Sequence, residues 1–175
     1  MVRYELTEAG ISIELPEEWL VMTKDLGGKS SLARLMGMSD EQVRMSLESM
    51  SAHLYAVDGM IGMNQLYLFV TEGDDVDMRQ GADGLDMKRF EDEFTLTVPG
   101  IEVLECGLHQ LGDSYYTRIY FMVDGTVNTA SIQYSTVINK VQYIIQYVAP
   151  YAKVIDGDTI RLLDDVVASI RFSAE

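Results

Sequence analysis

Glu105, His109 and Arg118 are the residues in this chain whose types and spacing bring acid–base chemistry to mind. If the runs 101–111 and 114–123 are antiparallel strands joined by a tight Gly112-Asp113 turn, His109 sits opposite Tyr116 and Glu105 opposite Tyr120. Arg118 then lies diagonal to both the acid and the imidazole. A carboxylate, an imidazole and a guanidinium in one patch could serve a hydrolase or hold a small ligand. Nucleophilic catalysis also needs a hydroxyl or thiol within reach of the base. The serine on this face is Ser131, two strands away, which is too far for a direct bond. Cys106 falls opposite Ile119 with no base in view and reads as an inert buried thiol.

Other chemistry meets specific obstacles. The chain has two histidines, no Gly-X-Ser-X-Gly and no glycine-rich dinucleotide or phosphate loop. Leu26–Ser31, LGGKSS, has the Gly-Lys-Ser ending but lacks the earlier glycine and the preceding buried strand. The acidic segment after Thr71 departs from a calcium loop counted from Asp75. Asp77 fits, but Arg79 is a cation, Gln80 replaces the glycine and Asp86 replaces the glutamate. A solvated acidic loop is expected there. Met36, Met38, Met45, Met50, Met60 and Met63 crowd one third of the chain and read as core filling, without a cysteine or histidine cluster to make a copper site. No metal or cofactor is expected.

The elements that would position the cluster follow from periodicity. Ile11, Ile13 and Leu15 alternate with polar residues and stop at Pro16, and Trp19 then opens a return strand as a structural plug. A short helix runs from a Ser30 cap to Gly37. Ser39 and Gln42 form a capping box for a second helix, whose apolar face is Val43, Leu47, Met50 and Leu54. Strands are expected at His53–Val57 and Gln65–Thr71. A helix carrying Met87, Phe90 and Phe94 ends before Pro99. Turns at Gly112-Asp113, Asp124-Gly125 and Asn139-Lys140 define a four-stranded meander: Ile101–Leu111, Ser114–Val123, Thr126–Ile138 and Val141–Ala149. Asp158 can cap a last helix with Leu163, Val166, Val167 and Ile170 inward, and SIRF closes as a short strand.

With two-residue turns throughout, Cys106, Ile119, Phe121, Ile132, Tyr134, Ile145 and Tyr147 share a core face. Glu105, His109, Tyr116, Arg118, Tyr120, Gln133 and Gln146 share a mixed face, which is the candidate binding surface. Two readings of that face stand side by side. It is a half-solvated sheet face partly covered by a helix, with Glu105 and Arg118 as an ordinary ion pair, or it is a binding face or shallow pocket.

A length of 175 residues fits one domain, 1–175, able to bury a core without disulfides, and a single cysteine agrees with that. The formal net charge of −15 repels phosphate backbones and anionic lipid heads, which argues against nucleic acid or membrane surfaces and favours solubility or a basic partner. No stretch is long and apolar enough to span a bilayer, and no leader is visible. A cytoplasmic protein is expected, with a soluble domain of a longer anchored or exported protein as the alternative.

The strand ending ELPEEW, the helices, the meander with YYTRIYFMV and YIIQYV, and the terminal helix ending SIRF together resemble the PsbP-like fold family. That family includes a photosystem II subunit, a nuclear-import factor that binds the GTPase Ran, and many bacterial proteins. The resemblance implies an α/β/α sandwich with a central antiparallel sheet, and binding instead of catalysis. It carries no family site residue onto a position here. The combined expectation is an α+β, non-enzymatic binding or scaffolding module with an unidentified protein partner. The alternative is a small-molecule binder or hydrolase using Glu105, His109 and Arg118.

Overall fold

The computed structural model describes residues 1–58, 64–74, 76–79, 81–82, 84–98, 100–123, 125 and 128–173. Ten strands and four helices follow in chain order: β1 (Val2–Leu6), β2 (Ile11–Leu15), β3 (Leu20–Thr23), α1 (Ser31–Met36), α2 (Asp40–Ser49), β4 (Leu54–Asp58) and β5 (Asn64–Glu72). Then come α3 (Met87–Thr97), β6 (Ile101–Leu111), β7 (Ser114–Val123), β8 (Thr129–Ile138), β9 (Val141–Pro150), α4 (Gly157–Ala168) and β10 (Arg171–Phe172). An antiparallel sheet of seven strands, ordered β3-β4-β5-β9-β8-β7-β6, is the centre of the molecule, and β1-β2-β10 form a smaller sheet.

Local chemistry accounts for most boundaries. Gly37, at φ 66°, ends α1 with its N–H turned back to Ala33 and Arg34. Both halves of the Ser39/Gln42 capping box form at the start of α2. Asp86 accepts the N–H groups of Lys88 and Arg89 to start α3. Asp156, not the expected Asp158, caps α4 by accepting from the N–H groups of Asp158 and Thr159. The hairpin turns carry the positive φ that right-twisted strands demand: Gly112 at 60°, and Asn139 and Lys140 at 51° and 63°.

The large sheet is covered unequally on its two sides. On one side, Ile11, Ile13 and Leu15 of β2 and Leu163, Val166 and Val167 of α4 bury Leu66, Leu68, Ile132, Tyr134, Ile145 and Tyr147. Trp19 joins this core, 4% exposed and stacked 6.2 Å from Tyr147, so it plugs the end of the sandwich. On the other side, α1 and α2 bury Leu32, Ala33, Val43 and Leu47 against Met22 and Val57. Phe94 of α3 meets Phe121 edge-on at 5.1 Å. This is an α+β sandwich, as the sequence implies.

Four expectations need correction. β2 and β3 do not pair with each other; β2 pairs with β1 and β10, and β3 forms an edge of the large sheet against β4. Strand β1, whose VRYEL alternates as regularly as β2, supplies the partner. Leu54 belongs to β4 and not to the face of α2, because the helix stops at Ser49. Cys106 is half-buried and not fully inside, because β6 is the other edge of the sheet.

The fourth correction changes the faces. From Glu105 to Leu111 the β6–β7 register is as counted, with Cys106 opposite Ile119, His109 opposite Tyr116 and Glu105 opposite Tyr120; a shift at Leu104 then brings Val103 opposite Phe121 and leaves Leu104 exposed. Val123, however, pairs with Thr129 and not with Thr126. The displacement of three residues is odd, so every β8 and β9 side chain moves to the other face relative to β6 and β7. Phe121 therefore faces α3, whereas Ile132 and Ile145 face α4. Asp124 of the expected tight turn and Thr126 and Val127 of the strand expected after it lie outside the described residues, as do Asp75, Gln80, Pro99, Met60 and Met63.

Candidate functional site

The α4 side of the sheet gathers the charged part of the candidate cluster. Arg118 projects from β7 opposite Gly107, where a Cβ would come within 3.2 Å of His109 Nε2, so the glycine leaves room for the imidazole. Its Nη2 donates to Glu105 Oε1 at 2.5 Å, and its Nη1 lies 3.0 Å from both oxygens of Asp164 on α4. Tyr134 Oη donates to Asp164 Oδ1 at 2.7 Å. His109 Nε2 is 3.5 Å from the same Glu105 oxygen that Arg118 holds. One cation thus ties β6, β7, β8 and α4 together, and only 9% of it is exposed.

The electrostatics follow from burial and pairing. Burial opposes the charge on Arg118, but its hydrogen bonds to Glu105 and Asp164 more than offset that, so its pKa lies above the ordinary value. Burial, and then the Arg118 charge, push His109 below its usual 6.5 despite the opposing pull of Glu105 and Asp164. The imidazole is therefore neutral near pH 7. Tyr134 is raised by burial and then by the Asp164 carboxylate, and Tyr116 by burial. Both terminal nitrogens of Arg118 are engaged, and Glu105 and Asp164 are its counter-ions. Among the described residues no hydroxyl or thiol is hydrogen-bonded to His109, and the bonds from Arg118 and Tyr134 to Asp164 join α4 to the sheet.

The seven candidate residues divide between the two faces. Glu105, His109, Tyr116, Arg118 and Tyr120 are on the α4 side. Tyr116 and Tyr120 are 1% and 8% exposed, and Tyr120 Oη accepts the N–H of Ile155 at 2.7 Å. Gln133 and Gln146 pair across β8 and β9 on the far side, next to Ile119 and Tyr67. Sequence reasoning missed Asp164. Its signal is its position, since with Ile160, Leu163 and Val167 it lies at helical spacing on the apolar stripe of α4. An acid on such a stripe calls for a buried cation.

The far side is built differently. There α1 and α2 pack near β3 and β4, and α3 packs over β6. Between them runs a strip on β5, β9 and β8 whose main residues, Gln65, Tyr67, Phe69, Gln133, Ile144, Gln146 and Val148, are all half-buried. Tyr55 and Tyr67 pack at 5.1 Å, and Tyr67 and Phe69 stack at 5.7 Å within 7° of parallel. Tyr67 Oη donates to Gln65 Oε1 at 2.6 Å, and Gln142 Nε2 to Ser135 Oγ at 2.9 Å. No outward residue of these three strands is charged, in a chain that is 23% charged. Away from this strip, a cleft of about 250 Å³ lies between Gly10, Asn139, Tyr143 and Phe172, and none of the seven candidate residues lines it. No described helix is long and apolar enough to cross a membrane.

No family model and no curated protein matches the sequence. Solved structures do match. The cyanobacterial PsbP (CyanoP) of Synechocystis aligns over 98% of this chain and 91% of its own, at 15% identity and a TM-score of 0.58. The Ran-binding protein Mog1p of Saccharomyces cerevisiae aligns over 98% and 94%, at 11% identity and a TM-score of 0.58. At such identities the likeness is one of architecture, and it covers nearly the whole chain. The large antiparallel sheet with α4 and the small sheet on one side and α1–α3 on the other is the PsbP-like fold.

Proposed function

We propose that residues 1–175 form a single non-enzymatic binding domain that docks another protein on the open strip of the large sheet, with Gln133 and Gln146 at its centre. The observation that carries this reading is the composition of the strip. Exposed sheet faces in an acidic protein ordinarily carry charges, whereas the cores of protein interfaces are depleted in charge and enriched in aromatic residues. Here Tyr67 and Phe69 lie beside two glutamines, with no charged side chain among them. Glu105, His109, Tyr116, Arg118 and Tyr120 fit a supporting role in this reading: they fasten α4 behind the docking surface. That Mog1p is a Ran-binding protein is in keeping with a protein partner on this fold. The net charge of −15 weighs against nucleic acid.

The test is a photo-reactive residue placed at Gln146, with the same residue at the exposed Arg161 of α4 as control. Cross-linking in native lysate from position 146 and not from 161, abolished by Gln133→Lys in the labelled chain, is the expected result. Equal adducts from both positions, or adducts indifferent to Gln133→Lys, would remove the strip as the docking surface.

A further inference from the structure

We infer that the occupant of this strip is a cationic protein segment, one that alternates Lys or Arg with apolar residues. This rests on the docking reading above and adds the chemistry of the partner. Three observations support it. The first is the charge of the whole chain, −15, whose field draws basic partners and repels a second copy carrying the same charge. The second is α3, which packs over the edge strand β6 and reaches Phe121 of β7, the strand beside β8: it carries Glu91, Asp92 and Glu93, the last two exposed and Glu93 paired with Arg89. The third is the ring geometry. Tyr67 stacks on Phe69, and Tyr55 packs on Tyr67, so one face of Phe69 and much of Tyr67 are engaged within the sheet. This leaves a surface of ring edges, amides and aliphatic groups, which suits apolar side chains and backbone groups.

The physical picture is an uncharged centre that accepts apolar side chains, with an acidic edge that receives the flanking cations. Polar rims of this kind set association rate and partner choice, and the centre supplies the affinity.

Titration of the full chain with a short peptide of alternating lysine and leucine tests this, followed by NMR on the side-chain amides of Gln133 and Gln146. Both amide signals are expected to shift. Raising the salt from about 0.1 M to about 1 M, which shortens the Debye length from about 10 Å to about 3 Å, weakens the binding. Gln146→Lys weakens it by about tenfold or more, equivalent to about 1.4 kcal/mol, while Gln146→Glu leaves it equal or tighter. The inference is overturned if the peptide binds without moving those signals, or if Gln146→Lys and Gln146→Glu act alike. A peptide of alternating glutamate and leucine that moves the same signals would keep the docking reading and discard the cationic partner. If neither peptide moves them, the cationic partner is likewise discarded, and the cross-link from position 146 decides the docking reading by itself. Sedimentation showing a dimer that a Gln133→Glu, Gln146→Glu double variant dissociates would make a second copy the occupant instead.

Discussion

The two faces of the large sheet treat charge in opposite ways. Toward α4, a guanidinium, two carboxylates and a tyrosine hydroxyl are drawn into one closed set of hydrogen bonds. Toward the strip, β5, β9 and β8 present amides, hydroxyls, aromatic rings and aliphatic groups with no charge. The closed face is where ions are hardest to solvate, yet it holds them; the open face could carry them at little cost and does not. A buried ion is tolerable when its partners are fixed, and those partners then specify how the helix sits. An open face without ions can shed its water when a partner arrives, because no charge there has to be desolvated. The α4 face thus reads as built to stay closed, and the strip as built to be covered.

Removing Arg118 should disturb this arrangement most. Arg118→Ala leaves Asp164 with Tyr134 as its remaining partner and no counter-ion, and should cost about 3 kcal/mol in chemical denaturation. Pairing Arg118→Met with Asp164→Leu should recover most of that loss, because the ions are then removed together. A loss under about 1 kcal/mol for Arg118→Ala would mean that water replaces the guanidinium and the face is not closed. The turn that abuts α4 comes next. Gly112 holds φ 60°, and a Cβ there would sit 2.6 Å from the Ala168 carbonyl oxygen. Gly112→Ala should therefore cost about 2 kcal/mol through αL strain and displacement of the helix end. Tyr120→Phe removes the acceptor of the buried Ile155 N–H and should cost about 1 to 2 kcal/mol.

On the strip the prediction inverts. Gln133→Lys and Gln146→Lys should each change stability by no more than about 0.5 kcal/mol, since half-exposed amides there bear little of the packing. Their effect should appear in binding alone. A large loss of stability from either would show that the strip is part of the core and not a surface kept for a partner.

How far the sequence carried each face has a physical explanation. The β6–β7 hairpin was legible from its turn as far as Glu105, because Gly112 at positive φ fixes a two-residue turn and the register then follows by counting; the shift at Leu104 has no such local signal. The capping box of Ser39 and Gln42 was equally plain. The β7–β8 connection misled, because Asp-Gly is a strong tight-turn signal and the observed pairing of Val123 with Thr129 needs a longer loop. An odd slip exchanges faces, so the mixed surface drawn from the sequence merged two surfaces into one. Glu105, His109 and Arg118 do come together, since they depend only on the hairpin that was read correctly. Gln133 and Gln146 do sit together, since the β8–β9 turn was also right. What failed was the relation between the two pairs of strands. Asp164 stayed hidden because no local pattern says which cation a helix acid will meet across the sandwich.

The smallest effect is a pH dependence centred on the closed face. Burial and the Arg118 charge hold His109 below its ordinary 6.5 in the folded chain, against the pull of Glu105 and Asp164. The folded state therefore takes up the proton less readily than the unfolded state, and stability rises with pH across the interval that ends near 6.5. Lowering the pH from about 7 to about 5, where ordinary carboxylates remain ionised, should reduce the denaturation midpoint. His53 acts in the same direction, through burial and then Lys24, so His109→Gln should flatten the slope without abolishing it. The side chain of His109 is 29% exposed, and solvent screening keeps the effect well below that of Arg118→Ala. A midpoint that rises as the pH falls, or a slope that His109→Gln leaves unchanged, would mean the imidazole does not sense the Arg118 charge and that the closed face ends at Glu105.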